Sequence, residues 1–160
     1  MYATEGIVLK KLDIGEADVL YALYTKDFGK VVARAQGIRK NGAKLRGHLE
    51  PLSLSAVRLI SARNGEKLIG ASLMNFWERM RARDATLRLA SYVAARLDGH
   101  CFAGERDDAL WHLASTAFQT LDDADFPEYG EVRFRREFDE NLSSCLGHGS
   151  DGGKSQPGAV

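Results

Sequence analysis

With 160 residues, 44% of them hydrophobic and 28% charged, the chain has the length of one ordinary domain or two small ones and the composition of a folded protein, not a disordered one. No window approaches the ~20 apolar residues of a membrane span, and MYATEGIVLKKLD lacks the basic start and long apolar run of an export signal. A cytoplasmic protein with no membrane partner is therefore expected. The formal net charge is zero but segregated: residues 26–50 hold seven bases, residues 105–140 hold eleven acids against four bases, and the two cysteines, Cys101 and Cys145, are too few for a disulfide framework.

The first seventy-five residues read as short strands separated by turn signals. Thr4 to Lys10 is the first, centred on Ile7, Val8 and Leu9, and Asp13 to Glu16 turns the chain. Asp18 to Thr25 is the second, and Lys26-Asp27-Phe28-Gly29 has the length and glycine of a hairpin connection. Lys30 to Gln36 is the third, with Val31, Ala33 and Ala35 alternating against Val32, Arg34 and Gln36, so that Arg34 and Gln36 share a face. Gly37, Asn41-Gly42 and Gly47 then break the chain into a loop. In the fourth strand, Leu52 to Ile60, Leu52, Leu54 and Ala56 alternate with serines before the phase slips to Val57 and Leu59, which predicts a bulge. Arg63 to Glu66 turns into the fifth, Lys67 to Leu73. Five short strands with a long insertion after the third fit a small, partly open barrel of the OB type, which binds oligonucleotides on its second and third strands and flanking loops.

The period then becomes helical. Leu87, Ala90, Ala94 and Leu97 form one stripe, stopped by Gly99; Leu110, Leu113, Ala117 and Leu121, widened by Trp111, Ala114 and Phe118, form a second; Phe134, Phe138 and Leu142 recur after Pro127 in a third. The predicted fold class is thus α+β, a five-stranded OB-fold barrel over residues 1–76 followed by a small all-α domain over 77–146. The tail 147–160, without an apolar anchor, is predicted to be disordered.

The chemistry concentrates in residues 26–50. Lys26, Lys30, Arg34, Arg39, Lys40, Lys44 and Arg46 face one acid, Asp27, before Glu50 closes the run. A basic strand face continued by a basic, glycine-punctuated loop suits a surface that tracks a phosphate backbone, and it equally suits a solvated loop. Tyr24 and Phe28 lie beside it as candidate stacking platforms, although strand aromatics in small barrels are mostly core. Tyr21, on the opposite strand face from Tyr24, is assigned to the core. Cys145 and His148 have the spacing of two zinc ligands, but no second local pair completes a site, so no metal or other cofactor is expected. Asp122, Asp123 and Asp125 read as a turn ahead of Pro127. No nucleophile motif or phosphate-cradling glycine loop occurs, and the chain is not read as an enzyme.

TEGIVL at Thr4 to Leu9, GEAD at Gly15 to Asp18, T-x-x-x-G-K at Thr25 to Lys30, A-x-G at Ala35 to Gly37 and KLRGHLE at Lys44 to Glu50 follow one another in the order and spacing of a known family. Over about its first fifty residues the chain resembles the N-terminal domain of RecO, the bacterial recombination mediators, and the likeness continues more weakly beyond. The resemblance implies a non-enzymatic protein of the bacterial cytoplasm and nucleoid. Its members bind single-stranded and double-stranded DNA, anneal complementary strands, contact the tail of the single-strand-binding protein SSB and work with RecR to load RecA. Added to the basic stretch, it favours Arg34, Arg39, Lys40, Lys44 and Arg46 of that stretch as the first DNA-contact candidates, ahead of Lys26 and Lys30, which flank a hairpin. A monomer is expected. Family members commonly run longer and many carry a zinc-binding cysteine cluster, whereas this chain has no Cys-x-x-Cys. The residues leave two alternatives open, an RNA-binding OB protein and a protein-interaction adaptor without annealing activity.

Overall fold

A computed structural model describes residues 1–38, 45–100, 104–126 and 130–158, with side chains described as far as residue 147. The chain runs through strands β1 (Tyr2–Ile14), β2 (Asp18–Thr25), β3 (Gly29–Ala35), β4 (Leu54–Ala62) and β5 (Gly65–Asn75), then helices α1 (Glu78–Ala82), α2 (Asp84–His100), α3 (Asp108–Leu121) and α4 (Gly130–Gly158). The strands form a closed barrel in the order β1-β2-β3-β5-β4. The long β1 makes closure possible: it pairs antiparallel with β2 from Gly6↔Thr25 to Ile14↔Asp18 and with β4 from Tyr2↔Leu59 to Ile7↔Leu54. The last seam is parallel and short, β3 meeting β5 at Ala33↔Glu66 and Arg34↔Lys67. The barrel is therefore closed where the sequence predicted it partly open.

Strand alternation produces two cores. Inward residues, including Val8, Tyr21, Leu23, Ala33, Val57, Leu59 and Leu68, fill the barrel. Outward Ile7, Ala22 and Tyr24 join the helical stripes of Leu89, Val93, Leu97, Ala114, Phe118, Phe138 and Leu142 in a second core, so one flank of the barrel is buried under helices. Leu9, the extra residue where the β1–β2 register shifts between Val8 and Lys10, also points into this second core.

The predicted β4 bulge belongs to the partner strand. The β4–β5 register skips from Leu54↔Asn75 to Ser55↔Leu73 and from Arg58↔Gly70 to Leu59↔Leu68, which leaves Met74 and Ile69 of β5 unopposed. The phase of β4 does not slip: Ser53 and Ser55 are fully buried in line with Val57 and Leu59. Their hydroxyls are satisfied by the connection above them, Ser53 Oγ donating to the Glu50 carbonyl and Ser55 Oγ to the His48 carbonyl. A buried serine with a backbone acceptor occupies an inward position that a polarity pattern assigns to solvent.

At the junction, Trp77 stacks on Phe118 with ring centroids 4.9 Å apart. Arg81 donates from Nε to the Phe76 carbonyl at 2.7 Å and from Nη2 to the Pro51 carbonyl at 2.5 Å, holding α1 against the β3–β4 connection. Burial lowers its pKa from the ordinary arginine value. The five-residue α1 was not foreseen, and α2 continues one residue beyond Gly99 to His100. Asp107 caps α3, its Oδ1 accepting from Leu110 N at 3.0 Å. Two of the aspartates before Pro127 accept hydrogen bonds: Asp122 from Met80 N of α1 at 2.9 Å and Asp123 from Asp125 N at 2.9 Å. Pro127 itself lies outside the described residues, and α4 runs in backbone past Gly147 to Gly158.

Candidate nucleic-acid interface

The outward row of β3, Lys30, Val32 and Arg34, with Gln36 in the turn just after it, lies beside the covered flank but is itself only partly covered. Its inward counterparts Val31, Ala33 and Ala35 are buried, as their alternation predicts. Pairing carries the row sideways. Arg34 sits beside Lys67 of β5 and Lys67 beside Ile60 of β4, so these side chains share the outer face of three strands. Val32, Ile60 and Ile69 are exposed at 45%, 36% and 38%, which mixes apolar surface with the cations. One strand position further along, Arg58 pairs with Gly70, where a Cβ would lie 2.6 Å from the Arg58 Nε and Nη2. The missing side chain lets the guanidinium lie flat across β5. Such a face can neutralise phosphates and offer apolar contact to bases.

The connection from β3 to β4 is fixed at both of its described ends. Ile38 and Leu49 are buried in the barrel core, with Leu45 packed against it. A 3-10 helix, Arg46–His48, lies between Leu45 and Leu49. His48 Nδ1 accepts from Leu73 N at 3.0 Å. Arg46 is exposed and makes no ion pair among the described residues. Arg39, Lys40 and Lys44 fall outside the described residues.

Arg34 is held in place by an acid. Its Nε and Nη2 reach Asp18 Oδ2 at 2.9 and 2.7 Å, while Asp18 Oδ1 accepts from Gly37 N at 2.7 Å. The aspartate thus orients the arginine, ties down the entry to the loop and competes with any phosphate for the same guanidinium.

The remaining candidates have other duties. Lys30 Nζ lies 2.7 Å from Asp98 Oδ1 and donates to the Asp98 carbonyl at 3.0 Å, and Lys10 reaches Asp98 Oδ2 at 2.8 Å. This triad fastens β1 and β3 to α2. Burial acts to raise the Asp98 carboxyl, but hydrogen bonds and charge from Lys10 and Lys30 outweigh it and hold its pKa below the usual carboxylate range. Lys26 is half-buried, its backbone N–H donating to the Glu5 carbonyl at 2.9 Å, and with Arg58 it borders a cleft of about 430 Å³ that Glu5 and Asp27 balance in charge. Tyr24 is removed from the stacking candidates: it is 1% exposed, tilted against Trp111 at 5.6 Å between barrel and helices, where no base can reach it. Tyr21, at 0%, is in the barrel interior as expected. Phe28 remains open at 36%, edge-on to Tyr2 at 4.6 Å. The hairpin carrying it is locked by Thr25 Oγ1, which donates to the Gly29 carbonyl at 2.7 Å and accepts from Phe28 N at 3.0 Å, while Gly29 takes the positive φ of 65° that favours glycine.

Sequence reasoning missed Lys67, Arg58, Ile60 and Ile69, because a single charge in a strand makes no run. The usable signal was Gly70 inside an otherwise alternating strand, a mark of bulge or close approach. Cys145 is half-buried, and burial with the nearby Asp107 charge pushes its thiol above the ordinary value. Among the described residues no group of three or more metal-ligating side chains gathers, and no helix is long and apolar enough to cross a membrane.

The closed five-stranded barrel followed by helices places the chain in the OB-fold class. Residues 1–75 match the family model described as Recombination protein O N terminal. Over that span the chain is similar to the N-terminal domain of the RecO family. It is similar over most of its length to the DNA repair protein RecO of Geobacter metallireducens, 28% identical over 91% of this chain and 58% of that protein. The RecO proteins of Dehalococcoides mccartyi, 30% identical over 79% of this chain and 50% of that protein, and of Pelotomaculum thermopropionicum, 25% over 92% and 56%, are similar as well. The chain thus spans about half the length of the curated relatives it matches.

Proposed function

We propose that this chain binds single-stranded and double-stranded DNA through the outer face of β3, β5 and β4 and the basic segment that follows β3 in the sequence, and serves DNA repair and recombination as a binding protein, not a catalyst. The observation that carries the reading is the row Arg34, Lys67 and Ile60, open on a barrel that matches the RecO N-terminal domain. Cations spaced along a strand meet phosphates whatever the base sequence, and they gain affinity by releasing condensed counterions. Two strands held on such a face lose part of their mutual repulsion, which is the basis proposed for annealing. RecR, RecA and the SSB tail are the protein partners proposed through the family, with this chain acting as a monomer.

Fluorescence anisotropy of a labelled single strand, titrated at several salt concentrations, tests this. Four phosphate contacts predict a slope of log K against log salt of about −3, roughly 0.7 per contact. Binding that ignores salt, or no binding at low salt, overturns the reading. Tighter binding of an RNA strand of the same sequence would turn it towards RNA.

A further inference from the structure

The cation row leads at its lower end into a cleft of about 770 Å³, within the ~300–1,000 Å³ range of small-ligand pockets. It arises because β5 begins at Gly65 and meets β3 first at Ala33↔Glu66, so the preceding residues of β3 have no strand beside them on that side among the described residues. Tyr2, Phe28 and Val32 give it apolar walls, and Lys30, Ser61 and Glu66 its polar atoms. One group is arranged with care. Glu66 Oε1 accepts from both the Tyr2 hydroxyl and Ser61 Oγ, the latter at 3.0 Å, whereas Oε2 makes no hydrogen bond among the described residues. Burial, reinforced by the bond to Glu66, raises the Tyr2 phenol well above its ordinary value, so it stays a donor and keeps the carboxylate fixed. The cleft therefore joins a partly open aromatic ring to an oriented acceptor, at the end of the cation row.

We propose that this cleft takes one unstacked base of the bound strand, with Phe28 against its face and Glu66 Oε2 accepting from its exocyclic amine. The inference rests on the DNA reading and deepens it in two ways. The ligand is a single strand, because in a duplex the amines of the pairing edge are already engaged. The pocket prefers cytosine and the other amine-bearing bases over thymine, whose imide N–H sits between two carbonyl oxygens that a carboxylate repels. A continuous path supports a base as occupant: Val32 lines both the cleft and the outward row, two residues from Arg34, so a strand with phosphates on Arg34 and Lys67 brings its next base to Phe28.

The test compares anisotropy titrations of oligo-dC and oligo-dT of equal length against the full chain, Glu66→Gln and Phe28→Leu. The wild type is expected to bind dC roughly fivefold more tightly than dT. Glutamine keeps an acceptor for Tyr2 and Ser61 but can donate to thymine, so Glu66→Gln should level or invert the ratio. Phe28→Leu should weaken both strands roughly fivefold or more. Equal wild-type affinity for dC and dT overturns the pocket without needing either variant, as does salt-dependent strand binding that both folded variants leave unchanged. Absence of strand binding by the wild type overturns the DNA reading itself, and the pocket with it.

Discussion

Strands β2 and β3 are neighbours in one barrel, paired residue by residue from Val19↔Ala35 to Thr25↔Gly29, yet their outer faces meet opposite fates. Ala22 and Tyr24 of β2 are buried beneath the helices, while Val32 and Arg34 of β3 lie open. An OB barrel commonly presents β2 and β3 together to an oligonucleotide. Here the helices take the β2 half, and the open surface moves across the seam to β5 and β4, where Lys67, Arg58 and Ile60 wait. Which face stays open is decided by what packs on the barrel, not by the pattern of any single strand.

The contrast predicts effects of different kinds on the two strands. Tyr24→Ala should cost about 3 kcal/mol or more of stability by opening a cavity between barrel and helices. Val32→Ala should stay within about 0.5 kcal/mol. Urea unfolding followed by the fluorescence of Trp77 and Trp111, both in or against the second core, reads the difference. A small cost for Tyr24→Ala would mean that the covered flank is not the structural one.

Charge changes should sort the other way. Arg34→Glu with Lys67→Glu is expected to weaken single-strand binding at least tenfold and to flatten the salt slope by about 1.4, two contacts at roughly 0.7 each, with little change in the urea midpoint. Asp18→Asn should release the Arg34 guanidinium and raise strand affinity a few-fold at low salt. It should also cost about 1 kcal/mol of stability, because Gly37 N and Arg34 lose a charged acceptor. Unchanged affinity in that variant would show that Arg34 does not exchange its aspartate for a phosphate.

The smallest effect concerns the fastening of the two halves by Asp98. Its folded pKa is depressed, so its contribution is fully present above the unfolded carboxylate value of about 3.9 and is lost as pH falls through the lower folded value. Stability followed down an acid titration should therefore show an acid-side loss that Asp98→Asn reduces, with no difference in pH dependence between the two proteins near neutrality. A difference appearing near neutral pH would contradict the assignment.

Much of this architecture was readable from local pattern. The alternation of Val31, Ala33 and Ala35 fixed the inward face of β3, and the helical stripes marked Ala90, Leu97, Ala117, Phe118 and Leu142, all buried. What escaped depends on partners that a polarity pattern does not show, near in the chain for the serines and distant for the rest. Ser53 and Ser55 are inward because carbonyls of the β3–β4 connection accept their hydroxyls. Tyr24 is core because α3 brings Trp111 over it. Lys30 is spoken for because the last turn of α2 brings Asp98 beside it, 68 residues along the chain. The cation row was legible only at Arg34, since its continuation through Lys67 is set by the parallel seam, and parallel register leaves no turn in the sequence to announce it.

The central claim is that the open β3–β5–β4 face, and not the hairpin flank, carries the strand. Salt-dependent anisotropy of one labelled single strand on the wild type, on Arg34→Glu with Lys67→Glu, and on Lys26→Glu tests it most directly. The account predicts a large loss of affinity and a flatter slope for the first variant and near-wild-type behaviour for the second. Equal losses in both, or a loss confined to Lys26→Glu, would contradict it.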